Sequence, residues 1–480
     1  MLSWISSSSL DAAGRIGLKV LSTILFARWL TPEIFGQASL TIVIVSVLAV
    51  LVTAPFEESL TQRKVVNSRH FASALTVVTG LSTLVFLLAI GVNHGATFAS
   101  ADTARVAALV GWFSLMLFAQ GPISIYTALA RRHRGFKRIA WSNLAGEVVG
   151  TTVGLILAVS GVGVWSLLAV RIVGRFVTLA GLMATCPVVI RPGLSATHIR
   201  QLSTFAGWFF AGRCVGTLSD AVFQGLVARY FGLAGAGYLN MALRVIEPVR
   251  GATGSMGHNI SMSFFMRVQD APDRLRDSVE QAMASTSLIL LPLFVGLAAV
   301  GPTIINVLAG PKWSVSGPVI TALAFAAATT AATNFQASAF AAKGRADLCL
   351  WAVCVEFLLM IAALVLLSPL GILAVGLARL ASNIGEAGYV MVMARRVLDV
   401  EVKRTFIVVG PIMLSACAMG LCVAAVGRAP WLDSSALLRL VVQIGCGVVI
   451  YTLLAGLFHR AGLRSAYGKL RGKPVAEKLS

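Results

Sequence analysis

Long apolar runs recur from one end of this 480-residue sequence to the other. Each run is about 20 residues long, enough for a helix to cross the roughly 30 Å hydrocarbon core of a bilayer. Hydrophobic residues make up 57% of the chain and charged residues only 12%, whereas a soluble domain carries roughly 25% charged residues. The sequence therefore predicts an all-α polytopic membrane protein, because helices satisfy their backbone polar groups internally within lipid.

The apolar runs and the turn residues between them divide the chain into about fourteen predicted spans. Their approximate limits are 9–30, 37–60, 71–93, 106–129, 140–160, 163–186, 201–227, 236–263, 281–308, 316–341, 347–368, 371–394, 405–427 and 437–459. Lysine and arginine are concentrated in every second loop, which the positive-inside rule assigns to the cytoplasm together with both termini. This asymmetry accounts for the net charge of +20 without nucleic acid as a partner.

An internal repeat relates two parts of the chain. The residues ARWL at 27–30, followed by Gly36, match ARYF at 228–231, followed by Gly237. Both copies fall at the same end of a predicted helix, which indicates a parallel duplication of six spans. We therefore expect an N-terminal lobe at 1–190 (spans 1–6), a C-terminal lobe at 191–397 (spans 7–12), and two further spans with a basic tail at 398–480.

Charged residues within the predicted spans are the candidate site residues, because a charge at the bilayer centre costs roughly 2.5–3.5 kcal/mol on insertion scales. Four basic residues near mid-depth predict a cationic surface between the lobes that receives an anionic group: Arg15, Lys19, Arg213 and Arg250. The alternative interpretation is that they form packing ion pairs or extend to the interface. Asp220 shares a helix face with Arg213 and either pairs with it or binds a coupling cation.

Two further pairs of opposite charge are interpreted as structural. Glu147 and Arg171 lie at similar depth on consecutive spans, and so do Glu356 and Arg379. Because a buried charge is tolerated best when it is paired, we expect an ion pair in each hairpin. The six histidines are scattered, no spacing suggests metal ligands, and the external loops are too short for a catalytic domain. We therefore expect no enzymatic activity, no metal and no cofactor.

Four groups of residues resemble the polysaccharide-transport branch of the multidrug/oligosaccharidyl-lipid/polysaccharide exporter superfamily, the Wzx-type flippases. They lie at 27–40 (ARWLTPEIFGQASL) with 58–64 (ESLTQRK), 128–140 (ALARRHRGFKRIA) with 161–177, 205–249, and 267–282 with 309–320 (AGPKWSVSGPVI). The resemblance implies a V-shaped pair of six-helix lobes around a central cavity, plus the two extra C-terminal helices.

The resemblance also implies a function. An undecaprenyl-pyrophosphate-linked oligosaccharide would pass from the cytoplasmic to the periplasmic leaflet of the bacterial inner membrane, for exopolysaccharide or lipopolysaccharide (O-antigen) synthesis. Transport would proceed by alternating access, with the four basic residues receiving the pyrophosphate. A polysaccharide polymerase and export machinery are the protein partners that this pathway implies.

Two other functions are compatible with a polytopic membrane protein. A drug or cation antiporter of the same superfamily would carry a carboxylate-rich cavity, whereas the predicted interior here is basic. A membrane-embedded polysaccharide polymerase or ligase would need a sizeable periplasmic loop with catalytic residues, and the predicted external loops are short. The residues therefore favour the flippase.

Overall fold

The computed structural model describes residues 21–62, 66–95, 101–133, 135–186, 207–268, 271–430 and 435–458, together with positions 17, 190, 192–195, 197 and 199. Every regular element in these ranges is helical. The helices fall into two compact units, Met1–Asn240 and Met241–Ser480. The predicted all-α fold is confirmed, whereas the lobe limits inferred from the repeat stay a prediction.

The first unit contains six helices and the beginning of a seventh. They are α1 (Pro32–Gln62), α2 (Ser68–Gly95), α3 (Ala101–Phe113), α4 (Leu117–Arg132), α5 (Phe136–Val159), α6 (Val164–Thr185) and the first part of α7 (Gly207–Val268). Residues 21–29 are also helical. A hydrophobic core joins α1, α2 and α4 through Phe56, Val78 and Tyr126, and Leu182 of α6 packs against it.

Helices α5 and α6 pack backbone against backbone. Gly146, Gly150 and Gly174 lie at their contact, and a Cβ added to Gly150 would lie 3.0 Å from the Cα of Gly174. Gly146 and Gly150 are one helical turn apart, as in the small-residue motifs that bring membrane helices close together. Because any side chain would push the two helices apart, glycine at these positions sets the geometry of this hairpin.

The second unit contains the rest of α7 and six more helices: α8 (Pro272–Ala309), α9 (Ser316–Ala342), α10 (Ala346–Leu367), α11 (Leu373–Leu398), α12 (Val402–Val426) and α13 (Ala436–Phe458). The alanine-rich α9 is mostly buried and packs against α8 and α11. The buried Asn383 of α11 donates hydrogen bonds from Nδ2 to the carbonyl oxygen of Ala326 (3.1 Å) and to Oγ1 of Thr330 (2.9 Å) on α9.

The last two helices are integrated into this second unit. Both α12 and α13 pack against α8, and the hydroxyl of Tyr451 on α13 donates to the carbonyl oxygen of Leu288 on α8 over 2.7 Å. Gln336 of α9 donates from Nε2 to Oγ1 of Thr405 on α12, a distance of 3.2 Å. The two helices that lie outside the repeat are therefore anchored to α8 and α9 by hydrogen bonds, of which the one between Gln336 and Thr405 is buried.

Within the described residues, 10 helices are long and apolar enough to cross a membrane. The predicted spans at 201–227, 236–263 and 371–394 are not among them, and 9–30 lies partly outside the described residues. Spans 201–227 and 371–394 carry charged side chains within the helix, among them Arg213 and Arg379, which lower the apolar character that such a criterion measures. The number of fourteen spans therefore stays a prediction.

Helix α7 contains the turn that the sequence predicts between spans 7 and 8. Gly232 adopts φ 70° and ψ −178°, and the helix resumes directly after it. A positive φ is accessible to glycine without the steric cost that a side chain imposes. One glycine thus divides α7 into the two helices expected from the sequence.

Candidate functional site

Two of the four basic residues predicted from the sequence, Arg213 and Arg250, lie in the part of the chain that the structure describes. Arg15 and Lys19 fall outside the described residues. Arg213 belongs to the first unit and Arg250 to the second, on the two halves of α7. Their surroundings are therefore described one unit at a time.

Arg213 begins a polar stripe along the first half of α7. Arg213, Thr217, Asp220 and Gln224 follow one another at intervals of three or four residues, so they share one helix face. Arg213 and Asp220 are both exposed, and the hydroxyl of Thr217 donates to the carbonyl oxygen of Arg213 over 2.9 Å. This stripe places a cation and an anion on one side of a helix that is otherwise largely apolar.

Arg250 forms an ion pair with a carboxylate on the same helix. Its Nη2 lies 2.7 Å from Oε1 of Glu247, one turn earlier on α7, and each side chain is 45% exposed. The sequence analysis assigned Glu247 no role, although a spacing of three residues on a helix is the signal for such a pair. Any anion that binds Arg250 would have to share this guanidinium with Glu247 or replace it.

Glu356 of α10 and Arg379 of α11 are brought together by the structure. Oε1 of Glu356 lies 3.3 Å from Nη1 of Arg379, and their side chains are only 17% and 14% exposed. The same Nη1 lies 2.9 Å from the sulfur of Met360. A charge-assisted contact of this kind fixes α10 against α11 deep in the apolar part of the unit.

The second unit also carries a third carboxylate within reach of these charges. Glu386, seven residues after Arg379 on α11, interacts electrostatically with Glu356, Arg379 and Arg250. Together with Glu247, three carboxylates thus accompany two guanidinium groups. The spacing of seven residues between Arg379 and Glu386 is the sign in the sequence that they share a helix face, whereas their proximity to Glu356 follows from the packing of α10 against α11.

In the first unit, one carboxylate lies near two guanidinium groups. Glu147 of α5 interacts electrostatically with both Arg171 and Arg175 of α6. The sequence predicts the pair of Glu147 with Arg171, and the structure adds Arg175 as a second partner of this carboxylate. This cluster within the hairpin therefore holds two guanidinium groups and one carboxylate.

Several basic residues of the loops have structural partners. Nη1 of Arg132 donates to the carbonyl oxygen of Leu60 near the end of α1 (2.8 Å), and Nζ of Lys343 donates to the carbonyl oxygen of Val397 near the end of α11 (2.8 Å). Both satisfy carbonyl groups that a helix terminus leaves without partners. The basic loops therefore also cap helices.

Across the described part of the chain, no cluster of three or more histidine, cysteine or acidic residues is placed to hold a metal ion.

A family model described as "Polysaccharide biosynthesis protein" matches residues 25–318. The chain belongs to this family. Among curated proteins, it is 27% identical over 324 residues to the succinoglycan biosynthesis transport protein ExoT of Rhizobium meliloti (strain 1021), covering 66% of this chain and 64% of ExoT. It is 22% identical over 341 residues to the lipopolysaccharide biosynthesis protein WzxC of Escherichia coli (strain K12), covering 69% and 68%. The chain thus spans slightly less than two thirds of the length of ExoT.

Solved structures share the fold of this polysaccharide biosynthesis protein. The lipid II flippase MurJ, in an inward closed conformation, superimposes with a TM-score of 0.77 at 14% identity and covers 94% of this chain and 98% of its own. An inward-facing multidrug resistance MATE family transporter of the MOP superfamily gives 0.62 at 12% identity, covering 80% and 94%. At these identities the likeness concerns the fold alone, whereas the predicted polysaccharide family is confirmed by the match across residues 25–318.

Proposed function

We propose that this protein is a flippase that moves a lipid-linked oligosaccharide from the cytoplasmic to the periplasmic leaflet of the bacterial inner membrane. The observation that carries the proposal is a family match for polysaccharide biosynthesis across residues 25–318 of a chain that has the fold of a lipid II flippase. The relatives named for succinoglycan and lipopolysaccharide biosynthesis support the same class of substrate. The protein performs transport and no covalent chemistry.

The proposed substrate headgroup is undecaprenyl pyrophosphate bearing an oligosaccharide for an exopolysaccharide or lipopolysaccharide. Arg213 and Arg250, with Arg15 and Lys19, are its proposed ligands. Arginine binds phosphate through two parallel N–H donors, and such charge-assisted hydrogen bonds are roughly twice as strong as neutral ones. Placing a charged side chain within the membrane costs free energy. This cost supports a functional role for the basic residues, since intramembrane ionisable residues usually mark a substrate pathway or a partner.

Transport proceeds by alternating access in this proposal. Both termini and the basic loops face the cytoplasm, and the lipid tail remains in the bilayer while the headgroup crosses. Asp220 shares a helix face with Arg213, so it either holds that guanidinium when the substrate has left or binds a coupling cation. A polymerase and export machinery receive the product in the periplasm.

One observation favours a second candidate, the multidrug or cation antiporter. The second unit carries three carboxylates, Glu247, Glu356 and Glu386, on membrane helices beside Arg250 and Arg379. A cationic drug would need carboxylates of this kind for its binding. The basic excess of the hairpin formed by α5 and α6 favours the flippase.

The test is made in a strain that lacks this protein. We expect loss of surface polymer and accumulation of the lipid-linked intermediate in the cytoplasmic leaflet, where its mass identifies the oligosaccharide. Wild-type protein should restore export, and so should Arg105→Ala, which changes an exposed arginine paired with Asp102 (3.8 Å). Arg213→Ala combined with Arg250→Ala should not restore export at equal protein level.

Each arm has a contrary result. Normal polymer and normal intermediates in the deletion strain would contradict the flippase, and drug susceptibility would then test the antiporter. Full export by the double arginine variant would contradict the cationic site while leaving the flippase in place.

A further inference from the structure

The two copies of the internal repeat contact each other in the structure. Gly36 at the start of α1 and Gly237 after the turn of α7 occupy the same position of the two repeat copies, and so do Pro32 and Leu233. A Cβ added to Gly36 would overlap the carbonyl oxygen of Leu233 and lie 2.7 Å from its carbonyl carbon. A Cβ added to Gly237 would overlap the carbonyl oxygen of Pro32 and lie 2.7 Å from its carbonyl carbon.

These contacts are reciprocal. Gly36 contacts the repeat counterpart of Pro32, and Gly237 contacts Pro32 itself. Self-complementary contact of this kind is what a two-fold axis imposes on an interface between identical subunits, and here it relates two copies within one unit. Both glycines are buried. The two helices therefore meet backbone to backbone, with no side chain between them.

A small hydrophobic cluster covers the crossing. Leu40 on α1 and Ala236 on α7 are buried together with Val106 of α3, and Leu233 packs against them. The crossing lies near the start of α1, at the end opposite to Gln62, after which the chain continues into the basic residues Arg63 and Lys64. It is therefore at the membrane side that the positive-inside rule assigns to the periplasm.

We propose that Gly36 and Gly237 form the periplasmic closing contact of the transporter, a helix crossing that separates and re-forms in each transport cycle. This inference rests on the proposed function, since alternating access requires the periplasmic side to open. Two backbones in direct contact exclude water and leave no room for an oligosaccharide. Because few side chains interlock at the contact, separating it disrupts little packing other than the cluster of Leu40, Val106 and Ala236.

The experiment uses the full chain in membrane vesicles, with all seven native cysteines replaced by alanine. Leu40→Cys, in the cluster over the crossing, reports access by a membrane-impermeant maleimide added from the periplasmic side. We expect slow but complete labelling of this thiol in the otherwise unchanged protein. Adding Gly36→Ala or Gly237→Ala should each raise the labelling rate by roughly tenfold or more, because the added methyl group disfavours the closed state.

Matched controls separate this effect from a general loosening of the helix. Gly225 lies in the first half of α7, seven residues before the turn at Gly232, and a Cβ placed there meets nothing within 4 Å. Gly225→Ala should leave the labelling rate unchanged. Ala236→Cys provides a second reporter from the other helix, and because the contacts are reciprocal, both glycine variants should accelerate its labelling to a similar extent.

Two results would overturn the proposal. Labelling rates that remain at the control level in Gly36→Ala and Gly237→Ala would show that these glycines do not hold the crossing closed. A thiol of Leu40→Cys that is labelled only after denaturation would show a permanent joint instead of a gate. Neither result depends on the identity of the substrate. Failure of the labelling experiment can therefore be distinguished from failure of a flipping assay, which tests the proposed function.

Discussion

The ion pair between Glu356 and Arg379 gives the sharpest prediction on stability. Removing one partner of a buried pair typically costs about 3–5 kcal/mol, because the other charge is left uncompensated. The two partners are not equivalent here, since Glu386 also interacts with Arg379. Glu356→Gln leaves the guanidinium with the carboxylate of Glu386, and we expect a cost of about 1–3 kcal/mol, below that range.

Arg379→Gln is expected to be the more damaging change. It leaves the carboxylates of Glu356 and Glu386 near each other without the cation between them, and we expect a cost of about 3–5 kcal/mol. The double variant should cost less than the sum of the single changes, with a coupling energy of about 1–3 kcal/mol.

The assay is unfolding of the purified protein in detergent micelles, followed by the fluorescence of its nine tryptophans. The control is the pair of Arg345 and Asp347, which lies 2.8 Å apart with side chains 49% and 33% exposed. Exposed pairs contribute little because water and salt screen them, so the coupling of this pair should be smaller. A Glu356→Gln variant less stable than Arg379→Gln, or equal coupling in the two pairs, would refute this reasoning.

Three further predictions concern packing. Gly150→Leu should keep α5 and α6 from packing together and strongly reduce the amount of folded protein. Gly212→Leu, at a position with open space around it, should not reduce it. Similar yields of the two variants on size-exclusion chromatography would contradict this prediction. Tyr451→Phe should lower the free energy of unfolding by about 1 kcal/mol, the net value of one hydrogen bond; no measurable loss would show that the bond to Leu288 contributes nothing. Asn383→Leu should cost about 1–3 kcal/mol because it leaves buried polar groups of α9 without their donor, and a neutral result would indicate that water or another group replaces the amide.

Much of the fold follows from composition and spacing. The apolar runs predict the long helices, because a chain in lipid must satisfy its backbone within each segment. Gly232 marks the turn within α7, where a positive φ requires glycine. The number of spans is harder to obtain, because α7 and α11 carry charged residues that make them less apolar than an ordinary membrane helix.

The site was predicted less completely. The sequence identifies Arg250 and Arg379 as unusual, since charges within apolar runs stand out. It does not show that Glu247 lies against Arg250 or that Glu386 joins Glu356 and Arg379, because such contacts depend on helix rotation and packing. The repeat around Gly36 and Gly237 was visible as a pattern, whereas the contact between its two copies follows only from the three-dimensional arrangement.

The most direct test of the central claim is flipping by the purified protein in proteoliposomes. The probe is a fluorescent undecaprenyl-pyrophosphate disaccharide, and an impermeant reductant irreversibly destroys every fluorophore that reaches the outer leaflet. The account predicts that the protein makes nearly all of the probe accessible, that Arg105→Ala retains this activity, and that Arg213→Ala combined with Arg250→Ala loses most of it. Accessibility of only the outer-leaflet half of the probe, with wild-type protein folded and inserted, would contradict the account.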